Sequence, residues 1–283
     1  MDEKRDKTVS KPILINDHFQ NYKRYNIQKA QLVIADIPYN VGKNAYGSNP
    51  AWYVGGDNAN GESNLANKEF FDTDKDFRPP EFMHFCSKMM KKEPKERGAA
   101  PCMIIFCEFE QQFQLIKLAK EYGINGYINL VFRKNFSAQV LKANMRIVGN
   151  AEYGLVLYRD KLPRFNNNGK MIFNIIEVER DTKDAFYEKI HPTQKSVKLL
   201  EKLIKIFTDE GDVVIDPVAG SGSTLVAANN CGRKSYGFEI KKDFFKDANR
   251  WVEKNYLMNS EIKRLGFAKT FLNEQKQKFL FSE

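Results

Sequence analysis

The chain has 283 residues, 42% of them hydrophobic, which suits one large globular domain with an ordinary core and excludes a disordered or fibrous protein. Lys and Arg number 45 against 36 Asp and Glu, and the resulting +9 favours a polyanionic partner, because neutralised phosphates release condensed counterions. No apolar run reaches the roughly 18 residues of a membrane span, no secretory signal opens the chain, and four cysteines lack any CxxC pair; a cytoplasmic protein with reduced thiols, no membrane and no metal is expected.

"PILIND" (12–17) and "QLVIAD" (31–36) read as short buried strands, each ending in Asp. The second runs into "IPYN", so it finishes on Asp36, Pro38 and Tyr39, where a plain turn would favour Gly, Asn or Ser. A carboxylate beside a stiffened carbonyl and an aromatic face suits a flat ligand with N–H donors. The Gly- and Asn-rich stretch 40–68, with Trp52 and Tyr53, is long enough to be a mobile lid loop. Strands are expected at 102–109, 127–134 and 151–159, and a helix over 110–123 closed by Gly123. A polar, basic segment follows at 160–190. Beyond it come an amphipathic helix over 196–207 and strands at 212–216 and 234–240 flanking a helix at about 223–230.

Strands alternating with helices predict an α/β, Rossmann-like fold: a mostly parallel sheet with helices on both faces and ligands at the carboxyl ends of its strands. Asp17, Asp36, Asp216 and Glu239 all fall at such ends. Each acid taken alone is an ordinary turn residue.

"DVVIDPVAGSGSTLVAA" (212–228) is a strand, a glycine loop and a helix. Gly220 and Gly222 permit positive φ and close backbone approach. Leu225 occupies the third glycine position of a dinucleotide fingerprint, and no Gly-Lys-Ser/Thr follows, so pyrophosphate equipment is missing. Glu239 lies beyond Asp216 at close to the roughly 20-residue spacing at which an acid meets ribose hydroxyls. A nucleoside without phosphate fits this pair, and S-adenosylmethionine is one.

The pairing of "DIPYN" with "DPVAGSGST", linked by "HPTQKS" (191–196), resembles the S-adenosylmethionine-dependent DNA amino-methyltransferases that modify adenine N6 or cytosine N4, in the motif order of their β class. The resemblance spans roughly residues 12–255. It implies that Asp36 and the Pro38 carbonyl accept hydrogen bonds from the target amino group while Tyr39 stacks on a flipped base. It also places Asp17, Thr193, Lys195, Asp216, Pro217, Gly220, Gly222, Thr224 and Glu239 around the cofactor. Double-stranded DNA is the implied partner, and members of the family are often homodimers. Asp at the first motif position is commoner among adenine enzymes; cytosine N4 and a catalytically silent DNA-binding subunit are the alternatives. Four residues depart from the family pattern: Ile37 for the first proline of the catalytic motif, Val218 for an aromatic, Ser223 for Thr, and Ser196 for a proline.

His191 precedes a proline and a helix start, which suits a structural or capping residue. Cys102 opens an apolar strand and is followed by Met103, so it reads as core rather than a nucleophile. The segment 160–190 is the candidate target-recognition element. Lys161, Arg164, Lys170 and Lys183 would meet phosphates there, and Asn166, Asn167 and Asn168 base edges, because amides pair bidentately with adenine. A solvated polar insertion is the competing reading. Residues 256–283 form a basic, partly apolar appendage that can contact DNA, pack on the domain or serve an oligomer.

Overall fold

Eight strands line up in one sheet: β1 (Ile13–Ile15), β2 (Leu32–Asp36), β3 (Cys102–Cys107), β4 (Gly126–Lys134), β7 (Ala151–Tyr158), β8 (Ile175–Val178), β9 (Val213–Asp216) and β10 (Lys234–Phe238). Their order is β1-β10-β9-β2-β3-β7-β4-β8, and β5 (Gln139–Val140) pairs separately with β6 (Val148–Gly149). The computed structural model describes residues 10–39, 77–135, 139–140, 148–179, 188, 190 and 194–280. The expected lid at 40–68, with Trp52 and Tyr53, lies outside the described residues, as do Lys183, His191 and Thr193.

In the eight-stranded sheet β7 alone runs against the other strands. Side chains alternate across the sheet, so Leu32 and Ile34 join one core while Val33 and Ala35 join the other. The first core is closed by α3 (Val197–Phe207), α4 (Ser223–Asn230) and α5 (Lys242–Leu280); the second by α1 (Pro79–Met89), α2 (Phe109–Glu121) and a 3-10 helix over Phe19–Arg24. Burial on both faces explains why the strands read as near-continuous apolar runs. This is the expected α/β, Rossmann-like architecture.

Local chemistry sets the helix starts. Pro79 and Pro80 open α1, where the missing N–H is no loss. Glu108 and Gln111 form a reciprocal capping box on α2. The Ser196 hydroxyl caps α3 by accepting from the Leu199 N–H at 3.3 Å. A cap is therefore what this chain gains where the family pattern has a proline.

The elements not legible in the sequence were α1, α5, the 3-10 helix, the β5–β6 pair and β8. The last falls inside 160–190 and pairs parallel to β4 as an edge strand, so that segment is part of the sheet and not wholly an insertion. Helix α5 packs on the fold through Ala248, Trp251, Val252 and Asn255 and continues unbroken past residue 256, with Leu257, Ile262 and Leu265 exposed. Among the described residues no helix is long and apolar enough to cross a membrane.

The crevice that matters lies between β9 and β2. From β9 the chain builds outward to β10 on one side, whereas β2 builds outward to β3 on the other. Such a reversal leaves a crevice at the carboxyl ends of the strands, and ligands collect there.

Candidate functional site

One wall of the crevice is the loop after β9. Asp216, the last residue of that strand, is buried, accepts the Val218 N–H at 3.0 Å and is also hydrogen-bonded to Thr224. Burial pushes its carboxyl up to about 7, against the two hydrogen bonds, with Asp36 and Glu239 adding to the rise. Pro217 follows it, buried, in the turn. Gly220 and Gly222 both adopt positive φ, +50° and +78°. Their roles differ. A Cβ on Gly220 would meet nothing within 4 Å, whereas one on Gly222 would come within 2.8 Å of Val252 on α5. Gly220 thus borders open space, and Gly222 permits the helix packing behind the loop.

Glu239 follows β10 and closes this wall. Its Oε2 accepts the Gly220 N–H at 2.9 Å and its Oε1 the Lys241 N–H at 2.7 Å. Burial raises its carboxyl, and these N–H groups oppose that rise. A carboxylate held at both oxygens keeps further lone pairs for a diol. The residues therefore fit a phosphate-free nucleoside: a glycine facing open space, an oriented carboxylate beside it, and a second acid at the neighbouring strand end. Asp17 lies at the same edge but is spent locally. It accepts from the His18 N–H and Asn21 amide, both at 2.7 Å, and from the Tyr25 hydroxyl at 2.6 Å, which lowers its carboxyl. Asn16, not anticipated from the sequence, ties β1 to the Glu239 carbonyl at 2.8 Å.

The other wall is the end of β2. Tyr39 donates its hydroxyl to Asp36 Oδ1 at 3.0 Å, and Lys195 Nζ lies 2.8 Å from Asp36 Oδ2 and 3.0 Å from the Tyr39 hydroxyl. The same ammonium stands 3.4 Å from Glu152 and over the rings of Tyr39 and Phe106. Burial lifts the Asp36 carboxyl above its ordinary value, Lys195 opposes this, and Glu152 adds to it. Burial disfavours the Lys195 charge, but Asp36, Tyr39 and Glu152 outweigh it and hold the ammonium protonated. Asp36 thus lies in direct contact with an ammonium that counters the effect of burial on its carboxyl.

Backbone geometry at the motif is equally determined. The Gln111 amide donates to the Pro38 carbonyl at 2.8 Å, and its oxygen accepts the Glu108 N–H at 2.9 Å. Ile37 is buried, and its N–H donates to Phe106 O at 3.3 Å, a bond no proline can make. Where the family pattern relies on ring stiffness, this chain extends the β2–β3 ladder and clamps Pro38 from α2.

Asp36, Pro38, Tyr39, Lys195, Asp216, Gly220 and Glu239 thus border one crevice, and Thr224 supports it. Gln111, Phe106 and Glu152 belong to the same group and were missed. Glu152 carried only a faint signal, a charge at the start of an apolar strand.

The expected base-reading residues lie elsewhere. Lys161 donates to the carbonyls of Pro94 and Lys95, Arg164 pairs with Asp209 at 3.3 Å, and the Asn166 amide donates to Thr208 O and Asp209. Pro163 bridges Ala100 just before β3, which puts this stretch at the amino end of the strands, opposite Asp36. Asn167 donates to the Lys170 carbonyl, and Asn168 adopts positive φ, so 167–170 is a turn. The structure does not bring Lys161, Arg164 and Asn166 to the crevice, because their polar atoms anchor the loop. Cys102 is fully buried with its thiol raised well above its ordinary value, in keeping with a core residue. Among the described residues no group of His, Cys, Asp and Glu gathers as a metal site.

Fold and crevice together define an α/β transferase for a nucleoside-type donor. The chain matches the N6/N4 DNA methylase family over residues 30–250 and belongs to it: it is a DNA methyltransferase. It is 26% identical over 269 residues to the DNA adenine methyltransferase YhdJ of Escherichia coli (strain K12), covering 84% of this chain and 81% of that one. The M1.HpyAVI–SAM complex superposes with a TM-score of 0.57 at 22% identity, over 84% of this chain and 98% of the other. The cytosine-N4-specific PvuII DNA methyltransferase does so with a TM-score of 0.59 at 14% identity, over 90% and 94%. These two likenesses show the shared fold.

Proposed function

We propose that this DNA methyltransferase modifies adenine N6 of a base flipped out of duplex DNA, with S-adenosylmethionine as methyl donor. The observation that carries this reading is the pair of acceptors at the end of β2, the Asp36 carboxylate and the Pro38 carbonyl, beside the Tyr39 ring and next to the Asp216–Gly220–Glu239 wall. The adenine assignment draws on the likeness to YhdJ across most of both chains and on the Asp at the first motif position.

An exocyclic amine is a poor nucleophile because its lone pair is delocalised into the ring. Asp36 and Pro38 accept its two N–H bonds and favour the pyramidal form whose lone pair can attack. Tyr39 holds the extruded ring by stacking. Asp36, hydrogen-bonded to the reacting nitrogen, is placed to take the proton that the methylated nitrogen sheds, and burial of its carboxyl assists. Glu239 and Gly220 bind the ribose side of the donor; Asp216 and Lys195 lie toward its methionine end. When bound, the donor supplies a methyl group on a sulfonium sulfur for in-line displacement. Positioning and electrostatics do the rest.

The test is to incubate the protein with labelled S-adenosylmethionine and mixed-sequence duplex DNA, digest to nucleosides and identify the labelled one. Label in N6-methyl-2′-deoxyadenosine is expected, and label in N4-methyl-2′-deoxycytidine overturns the adenine assignment. Asp36→Ala should lower methyl transfer by about 100-fold or more while cofactor affinity stays within a few-fold. Equal loss of both would mean that Asp36 serves the cofactor instead.

A further inference from the structure

A row of charges meets the catalytic motif that base stacking and amine binding do not require. Because β7 alone runs backwards, it begins at the carboxyl end of the sheet, and its second residue, Glu152, emerges beside the ends of β2 and β3. Lys134, at the end of β4, pairs with Glu152 Oε1, and Lys195 approaches Glu152 Oε2 at 3.4 Å. The same Lys195 nitrogen is 2.8 Å from Asp36 Oδ2, while the Tyr39 hydroxyl donates to Asp36 Oδ1. Both Asp36 oxygens are therefore engaged before any target amine arrives.

Resting on the proposed amine-binding role of Asp36, we propose that Lys195 is a stand-in for the target amine and that Glu152 is the positioning residue that receives its ammonium when the amine takes Asp36. Both carboxylates already lie within reach of the one nitrogen, so the exchange requires a side-chain shift and no backbone movement. Among the described residues, an ammonium leaving Asp36 would without Glu152 keep direct contact only with the Tyr39 hydroxyl and two aromatic faces in a buried site, which is unfavourable. Burial works against the Glu152 charge, but Lys195 and Lys134 outweigh it and hold the carboxyl below its ordinary value, so the receiving site stays ionised.

The test uses the full chain with Glu152→Gln and Glu152→Asp. Methylation kinetics on mixed-sequence duplex DNA, calorimetric S-adenosylmethionine affinity and melting temperature are measured for each. In Glu152→Gln, kcat/KM for DNA should fall about tenfold or more, with cofactor affinity within about threefold. Its acidic rate limb should move to lower pH, because Lys195 then stays on Asp36 and the Glu152 charge no longer raises that carboxyl. The groups facing Asp36 and Glu152 are Tyr39, Cys107, Lys134, Lys195, Glu108 and Asp216. Glu152→Asp should restore the rate to within about threefold of the wild type. In a Lys195→Met background, Glu152→Gln should cost no further rate.

Wild-type DNA kinetics in Glu152→Gln, equal losses in the Gln and Asp variants, or additive losses with Lys195→Met would each overturn the inference. A wild-type protein that methylates no DNA overturns the proposed function and this inference with it. An active wild type with an unaffected Glu152→Gln variant overturns the inference alone.

Discussion

Asp216 carries the largest conflict between burial and charge on the cofactor wall. Its carboxyl is pushed up to about 7 in the folded chain, whereas an unfolded Asp titrates near 4, so between those values the folded state binds the extra proton. Stability then falls as pH rises from about 4 to about 7 and stays at the lower level above that. Asp216→Asn keeps an acceptor for the Val218 N–H and removes the buried charge. It should raise stability at pH 8 by about 2–4 kcal/mol, with the gain vanishing near pH 4, as read by denaturant melts at both pH values. The same variant should bind S-adenosylmethionine more weakly. An acid kept at such a cost points to use, because a structural residue at this position could be neutral.

At the scale of elements, legibility in the sequence followed locality. Strands β2 and β9 end on an acid directly after an apolar run and Glu239 directly follows β10, so Asp36, Asp216 and Glu239 could be placed from a few neighbouring residues. Lys195 was found through its motif, but its contacts with Asp36 and Glu152 join residues far apart in sequence, and the second depends on the reversed direction of β7. Gln111 was likewise invisible, since its clamp on Pro38 joins α2 to a different strand end. Strand β8 is four residues long in polar surroundings, too short for periodicity to reveal. Helix α5 makes the corresponding point about stability. Ala248, Trp251, Val252 and Asn255 are buried, whereas Leu257, Ile262 and Leu265 are exposed. Removing residues 261–283 should shift the melting temperature by less than about 4 °C, about 1 kcal/mol for a chain of this size, whereas a stop before Ala248 should abolish folding. A scanning calorimetry comparison checks both.

For the molecule as a whole, the +9 charge should act differently on two affinities. DNA binding should weaken about tenfold or more between roughly 50 and 200 mM salt, because counterions released from phosphates set its salt slope. Cofactor affinity should change little over the same range, since its site is a buried crevice and not a charged surface. Titrating both ligands across one salt series tests the separation. Equal slopes would indicate that the cofactor site is coupled to long-range charge.

The adjacency of β2 and β9 also bears on how the chain is made. Asp36 belongs to an early strand, but its wall partner Asp216 and the carboxylate of Glu239 come from strands near the other end of the sequence. During vectorial synthesis β2 and β1 emerge with their β9 and β10 edges unpaired, and they wait for most of the chain before those edges are covered. A translation product that stops within residues 160–190 carries Asp36, Pro38 and Tyr39 without Asp216, Gly220 and Glu239. Competence for transfer thus appears late and all at once, and incomplete chains cannot mark DNA.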